Sequence, residues 1–289
     1  MTWNNAKECG EVLGDWAVQA LIAEAELAPK PGLVDPEDTG SHADMTFDLL
    51  VASAVSLRET FGQIAKASYF REPDQQLREE IAAIGRQGEK KMMHVTGGIN
   101  THKGAIWVLG LLTSGAALNQ SGQDVKRMIQ TASEIACYPD RFTPNLPTHG
   151  SSVFARFGVK GARGEAESGF PHLTKVALPK LVEARRNGLS ESLVRLETLV
   201  ALIAHLDDTC ILHRGGLAAL QMAKQKANDV LESGGVSATE GWIKLEELNQ
   251  SLLEHNASPG GSADLLAATL FLDQIQSVRY VDEKVFSTT

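Results

Sequence analysis

Charged side chains stand beside glycines at several breaks between apolar segments of this sequence. In the first break, Lys30 and Gly32 come shortly before Asp35. A lysine supplies positive charge suited to phosphate, and a glycine lets the backbone approach a ligand closely. This combination predicts contact with a phosphate group.

Carboxylates near the first break could instead bind a metal ion. His42 and Asp44 follow Asp35 within a few residues. Magnesium prefers oxygen ligands, so this group would suit a magnesium site. The alternative is structural, because Ser41 and Asp44 are spaced like a helix cap with an acidic residue in the first turn.

The second break, residues 96–104, leads into an apolar helix. Glycines before a helix start leave N–H groups free to face an anion, and Thr101 and His102 stand at that point. Lys103 adds positive charge where the helix dipole disfavours it, which indicates a function beyond solvation. The spacing GxxxxGK[ST] does not occur, so a P-loop fold is not required.

Three later breaks repeat the pattern of glycines with charged residues. An arginine between glycines can bind phosphate through two hydrogen bonds, and a glutamate beside it could serve as acid, base or metal ligand. A turn with a surface ion pair is the alternative there. Together the breaks predict a polyanionic ligand with a metal ion. The candidates in these three breaks are Arg163 and Glu165, Asp208 and Arg214, and Ser258, Gly260, Gly261 and Asp264.

Hydrophobic periodicity predicts that helices position these breaks. Apolar residues recur at three- and four-residue steps, while alternating patterns are nearly missing and the one strand candidate, 151–159, is short and isolated. The sequence therefore predicts an all-α protein, more than half helical, with a single large domain over residues 1–289. We expect about nine or more helices, with glycine-rich loops that form a cleft. The region 138–172 is predicted to be irregular, and Asp74, Ser237 and Ser262 are predicted N-caps. The predicted helices are 11–27, 43–68, 75–94, 102–119, 123–137, 174–186, 190–224, 239–254 and 262–277.

Composition narrows the class of protein. The 289 residues are 43% hydrophobic and 22% charged, which is an ordinary globular balance. The formal net charge of −9 argues against a nucleic-acid binder, because phosphate affinity on DNA depends on clustered Lys and Arg. We see no signal-peptide pattern and no apolar run of about 18 residues. We therefore expect a cytoplasmic protein that does not contact membranes.

Six longer motifs between Leu21 and Leu272 are similar to those of a known protein family. They read PKPGLVD, GSHADM, GGINTHKGAIW, GARGEAESGFP, DDTCILHRGG and SPGGSADLLAATLF. In order and spacing they resemble the triphosphoribosyl-dephospho-CoA synthase family. The resemblance implies a helical, magnesium-dependent enzyme that joins ATP to 3'-dephospho-CoA and releases adenine. The form of the motif around Trp107 and the LHRGG ending look more like the malonate decarboxylase branch than the citrate lyase branch.

The resemblance also implies partners and a fate for the product. The product would be the precursor of the prosthetic group of an acyl-carrier subunit, passed on to an acyl-carrier-protein transferase. A homodimer is compatible with the sequence. Two other functions stay open, a magnesium-dependent N-glycosidase that uses water as acceptor and a non-catalytic helical binding protein.

The implied reaction assigns roles to the motif residues. The 2'-hydroxyl of dephospho-CoA would displace adenine from the ribose anomeric carbon, and protonation of a ring nitrogen would help adenine leave. Glu165 is the predicted general base, and His42 or His102 would assist adenine. We expect the four basic side chains to converge on one cleft. We expect the four aspartates to lie close enough, at least in part, to share magnesium, with Glu165 free of it. The predicted nucleotide-binding residues are Lys30, Gly32, Thr101, Lys103, Arg163, Arg214, Ser258, Gly260 and Gly261, and the predicted magnesium ligands are Asp35, Asp44, Asp208 and Asp264.

Overall fold

The computed structural model describes residues 3–119, 124–144 and 148–286, with side chains up to residue 277. More than half of these residues are helical and none lies in a strand, which confirms the all-α prediction. A π-helical turn, Leu173–Ala177, runs directly into α9. The helices are α1 (Ala6–Ala25), α2 (Phe47–Ser56), α3 (Arg58–Ser68), α4 (Gln75–Val95), α5 (Lys103–Leu118), α6 (Val125–Cys137), α7 (His149–Phe157), α8 (Gly161–Glu167), α9 (Leu178–Arg186), α10 (Glu191–His205), α11 (Thr209–Glu232), α12 (Thr239–Glu254) and α13 (Gly260–Phe286).

The largest difference from the predicted elements lies in the region 138–172. Instead of one irregular loop it contains α7 and α8, and the strand candidate 151–159 falls mostly in α7. Thr148 and Ser151 form a capping box at the start of α7, and Gly158 ends it in the left-handed conformation. Short helices between prolines and glycines give too few turns for a periodic signal. Residues 145–147 of this region, and residue 123 of the predicted helix 123–137, lie outside the described residues.

Two predicted helices are each divided into two. The predicted helix 43–68 separates at Leu57 into α2 and α3, and 190–224 separates at residues 206–208 into α10 and α11. At the first junction Leu57 is buried and apolar, so the periodicity continues through it. At the second junction, the polar residues 207–209 form too short an interruption between two apolar segments for the periodicity to reveal the break.

The N-cap predictions have mixed outcomes. The Asp74 side chain accepts a hydrogen bond from Leu77 N, which confirms that cap. The prediction for Ser237 is wrong, because α12 starts at Thr239 after Ala238. The capping alternative for Ser41 is also wrong, because Thr46 caps α2.

One continuous hydrophobic core joins the helices, as the single-domain prediction expects. Helix α5 is buried around most of its surface, and α1 packs closely on α3. Glycines permit this approach, since a Cβ atom on Gly14 would lie 2.8 Å from the carbonyl oxygen of Arg58. None of the described helices combines the length and apolar character needed to cross a membrane.

Candidate active site

Asp208 caps two helices at once. It precedes α11 and is 1% exposed, and its carboxylate accepts hydrogen bonds from Cys210 N (2.8 Å) and from Ser262 N (2.8 Å) and Oγ (3.0 Å). Burial is the main reason that the pKa of Asp208 is raised, although these donors oppose the shift. The starts of α11 and α13 are thereby held together. Ser262, the predicted N-cap of α13, lies inside that helix and donates to Asp208 instead.

Asp264 lies one turn further along α13, against the start of α5. Its carboxylate is so close to Gly104 that a Cβ atom there would clash with Oδ2. Among the described residues, the backbone N–H of Ala105 is the group that favours the charged form of Asp264. Burial, followed by the negative charges of Asp208 and Glu24, raises the pKa of Asp264 well above its usual value. The residue is only partly exposed, so its surroundings favour a protonated carboxyl group.

Arg214 joins the segment after the first break to the start of α13. Its guanidinium donates to Ser41 O (2.7 Å) and to His42 Nδ1 (3.0 Å). Since arginine can only donate, Nδ1 of His42 is the acceptor and Nε2–H faces Ser258 Oγ at 3.0 Å. Burial, and then the charge of Arg214, lowers the pKa of His42 to about 4. His42 is therefore a neutral linker between Arg214 and Ser258.

His102 is the buried residue directly before α5. Its Nδ1 lies 2.8 Å from Ser53 Oγ, which in turn lies 2.6 Å from Thr101 Oγ1. Its Nε2 is buried with no hydrogen-bond partner among the described residues. Burial, and then the positive charge of Lys30, lowers the pKa of His102 to about 4. The ring is neutral and Nε2 is available for a hydrogen bond with a ligand.

Lys103 and Arg214 act on the same histidine. His149 begins α7, and its ring stacks on that of His213 with the ring centroids 3.9 Å apart. Burial lowers the pKa of His149, and the charges of His213, Lys103 and Arg214 lower it further. Lys103 Nζ also pairs with Glu89 at 3.0 Å. The starts of α5 and α7 and the first turns of α11 therefore share one region.

Lys30 and Asp35 are bonded to other groups of the chain. Lys30 Nζ donates to Glu24 Oε1 (2.7 Å) and to the backbone oxygen of the same residue (2.9 Å), and the two side chains are 1% and 7% exposed. Asp35 accepts the N–H groups of Lys30, Glu37 and Asp38. The N–H of Gly32 donates to Asn249 Oδ1, which ties the first break to α12. These contacts hold the first break against α1 and α12.

Glu165 is paired with a histidine that the sequence analysis did not select. Its Oε1 accepts from His172 N (2.8 Å) and its Oε2 contacts His172 Nδ1 (2.7 Å). The hydrogen bond that His172 donates to the Glu165 carboxylate is the main reason that the pKa of His172 is raised, against the effect of burial. Both carboxylate oxygens are therefore engaged, which disfavours Glu165 as a free general base. Beside it on α8, Arg163 is exposed and pairs with Glu167 at 2.7 Å.

Replacing Glu165 by glutamine is expected to lower the pKa of His172, measurable by NMR titration. A raised pKa in the folded protein stabilises it below the unfolded value, and this contribution is lost as pH rises through the folded value. Hydrogen bonds to charged groups contribute about 1.5–3 kcal/mol, so the loss of stability should be of that order at pH 6 and smaller at pH 9. Glu167→Gln, on the same helix, is the control. Equal losses at both pH values would contradict the pairing.

The predicted magnesium site does not fit the described residues. Asp35 and Asp208 are occupied by backbone N–H groups, and the Asp44 side chain is 62% exposed beside His42. In residues 3–119, 124–144 and 148–277, no group of three His, Cys, Asp or Glu side chains is arranged to hold a metal ion. Of the four predicted ligands, Asp208 and Asp264 are close neighbours.

The structure thus brings together only part of the predicted set. The expected convergence of four basic residues is seen for Lys103 and Arg214, whereas Lys30 is buried against Glu24 and Arg163 lies on the exposed face of α8. His149 and His172 were missed because their segment was predicted to be irregular. The site residues that meet at the cleft are His42, Thr101, His102, Lys103, Asp208, Arg214, Ser258, Gly260, Gly261 and Asp264.

Four helices begin at this cleft. Asp208 joins the starts of α11 and α13, Asp264 lies at the start of α5, and the His149–His213 stack places the start of α7 beside α11. Each helix start carries partial positive charge, which attracts anions, although Asp208 already accepts several of the first N–H groups of α11 and α13. With Lys103 and Arg214 added, the arrangement suits a ligand that carries several phosphate groups.

Comparison with known proteins gives one family over most of the chain. The family model described as ATP:dephospho-CoA triphosphoribosyl transferase matches residues 10–281. The 2-(5''-triphosphoribosyl)-3'-dephosphocoenzyme-A synthase of Klebsiella pneumoniae is 46% identical over 91% of this chain and 94% of its own length. Proteins of Pseudomonas fluorescens (46% identical) and Azotobacter vinelandii (47% identical), named with the prefix "probable", each match over 92% of both chains. No solved structure matches the chain.

Proposed function

The chain belongs to the ATP:dephospho-CoA triphosphoribosyl transferase family, and we propose that it carries out the transfer in the cleft where α5, α7, α11 and α13 begin. As an enzyme of this family it joins ATP to 3'-dephospho-CoA. The convergence of four helix starts with Lys103 and Arg214 is the observation that carries the placement. Both substrates carry several phosphate groups, and this cleft offers them positive potential in an otherwise acidic protein.

The ATP triphosphate is the ligand that the cleft rim fits best. Arg214 is held by Ser41 and His42, so its guanidinium is oriented before a nucleotide binds. An oriented guanidinium can bind phosphate through two hydrogen bonds. The start of α13, at Gly260, lies close by through the contact between His42 and Ser258.

The transfer moves one proton from the acceptor hydroxyl to the leaving base. The bond between the ribose anomeric carbon and adenine breaks with its electron pair passing to adenine, and the 2'-hydroxyl oxygen of dephospho-CoA bonds to that carbon. A protonated Asp264 is placed to give a proton to adenine. The hydroxyl proton needs an acceptor, and Nε2 of His102 is a buried nitrogen without a partner among the described residues. We assign these two roles to Asp264 and His102 in place of Glu165.

Magnesium is proposed to enter as part of the ATP substrate. Magnesium is commonly bound through substrate phosphates with only one or two carboxylates. The cleft lacks a three-residue metal site within the described part of the chain, so phosphate oxygens would supply most ligands. Residues of the chain then need only to hold the phosphates.

We also propose the pathway branch, the partner, the cellular location and the oligomeric state of the enzyme. The resemblance of the motif around Trp107 supports the malonate decarboxylase branch, with an acyl-carrier-protein transferase taking the product. Both substrates are cytoplasmic metabolites, which supports a cytoplasmic enzyme. A homodimer is proposed without a role in the cleft.

The test is adenine release from ATP with magnesium, with and without dephospho-CoA. We expect adenine only when dephospho-CoA is present, together with the joined product by mass spectrometry. Adenine release without dephospho-CoA would indicate an N-glycosidase that uses water. No adenine under either condition would indicate a binding protein and would overturn the proposal.

A further inference from the structure

Two stacked histidines stand at the rim of the cleft. His149 is the first residue of α7 and His213 lies in the first turns of α11. Their ring centroids are 3.9 Å apart with an interplanar angle of 19°, and both residues are exposed. Two positively charged imidazolium rings at this distance would repel each other.

The groups around this pair are mostly basic. Arg214 follows His213 directly, and Lys103 lies near enough for its charge to act on His149. The acidic groups near these cations include Glu89, which pairs with Lys103, and Asp44, 3.9 Å from His42 on the side of Arg214. The buried Asp208 and Asp264 also lie near Arg214, on the side of Cys210. None of these four acids has a hydrogen bond to the stacked rings among the described residues. In the free protein, burial and these positive charges lower the pKa of His149, and a bound polyanion would oppose that shift.

We propose that His149 and His213 are a polyphosphate contact of the cleft that takes up a proton when the phosphate chain binds. This inference rests on the proposed function and names two binding residues for the same site. The N–H groups at the start of α7 and the cations Lys103 and Arg214 would share the phosphate oxygens with the rings. An imidazolium donates two hydrogen bonds, whereas a neutral ring donates one.

Linkage gives the direction of the pH effect. The pKa of His149 is lowered in the free protein and a nearby phosphate raises it, so between the free and bound values binding takes up a proton. Affinity then increases as pH falls through that window. One fully linked proton changes the dissociation constant by about tenfold per pH unit.

The experiment is calorimetric titration with inorganic tripolyphosphate, which tests the phosphate contact without the base or the sugar. Titrations near pH 7 in buffers of different ionisation enthalpy give the number of protons taken up. We expect an uptake approaching one proton for the wild type and less than half of that for His149→Asn and for His213→Asn. Circular dichroism verifies that each variant keeps its helix content.

His94→Asn is the matched control, because His94 is an exposed histidine in the last turn of α4. It should retain the wild-type uptake. Unchanged uptake in both cleft variants, or no uptake by the wild type, would overturn the proposal. These results are independent of the adenine assay. If the enzyme releases adenine only with dephospho-CoA but binds tripolyphosphate without proton uptake, the proposed function stands and the role of the two histidines is wrong.

Discussion

Asp264→Asn is expected to slow adenine release by about 10²–10⁴-fold, the usual contribution of a general acid. Asparagine keeps the shape of the side chain but has no acidic proton. Asp264 lies against Gly104 at the start of α5, where burial and the charges of Asp208 and Glu24 raise its pKa. A carboxyl group with a raised pKa holds its proton to higher pH and can give it to the leaving base.

The pH profile separates this role from metal binding. In the wild type, the rate should fall as pH rises through the raised pKa of Asp264, because the required form is the protonated one. In Asp264→Asn, that decrease should be lost while the dependence on magnesium concentration stays the same. If excess magnesium restores the variant, Asp264 is a magnesium ligand and the proposed acid role fails. Asp273→Asn, on the same helix but paired with Arg185, is the control and should retain adenine release.

The sequence predicted many of the positions where helices are interrupted, but not which of these interruptions lie close together in the fold. Glycines and prolines correctly marked the segments before α5 and α13, because these residues interrupt helices for local reasons. The contact of Arg214 with His42 joins residues 172 positions apart. No local period encodes such a contact, since tertiary packing determines it. The family resemblance selected both residues without indicating that they touch.

The roles of the carboxylates were the least predictable part of the site. Asp208 could have been recognised as an N-cap, but the apolar pattern through residues 190–224 concealed the start of α11. Glu165 looked free because its partner His172 belonged to a segment predicted to be irregular. Whether a carboxylate is a base, a metal ligand or a cap depends on the donors around it, and those donors come from other elements.

Lys30→Met is expected to destabilise the protein by about 3–5 kcal/mol, the usual cost of removing one partner of a buried ion pair. Glu24 would keep its charge in a buried position with no ammonium group beside it. Chemical denaturation with urea measures the loss. Lys7→Met is the matched control, because Lys7 pairs with Glu11 on the same helix as Glu24, and that pair is largely exposed at 3.9 Å. Exposed pairs contribute about 0–1 kcal/mol.

The double variant Glu24→Leu/Lys30→Met separates a structural role for Lys30 from phosphate binding. Removing both charges leaves no unpaired ion, so most of the lost stability should return, as in other buried pairs replaced by apolar residues. If Lys30 serves the fold alone, the double variant should bind tripolyphosphate about as tightly as the wild type. A stable double variant that no longer binds tripolyphosphate would instead place Lys30 among the phosphate contacts. Its ammonium would then have to leave Glu24 when the ligand enters, because both of its observed acceptors belong to that residue.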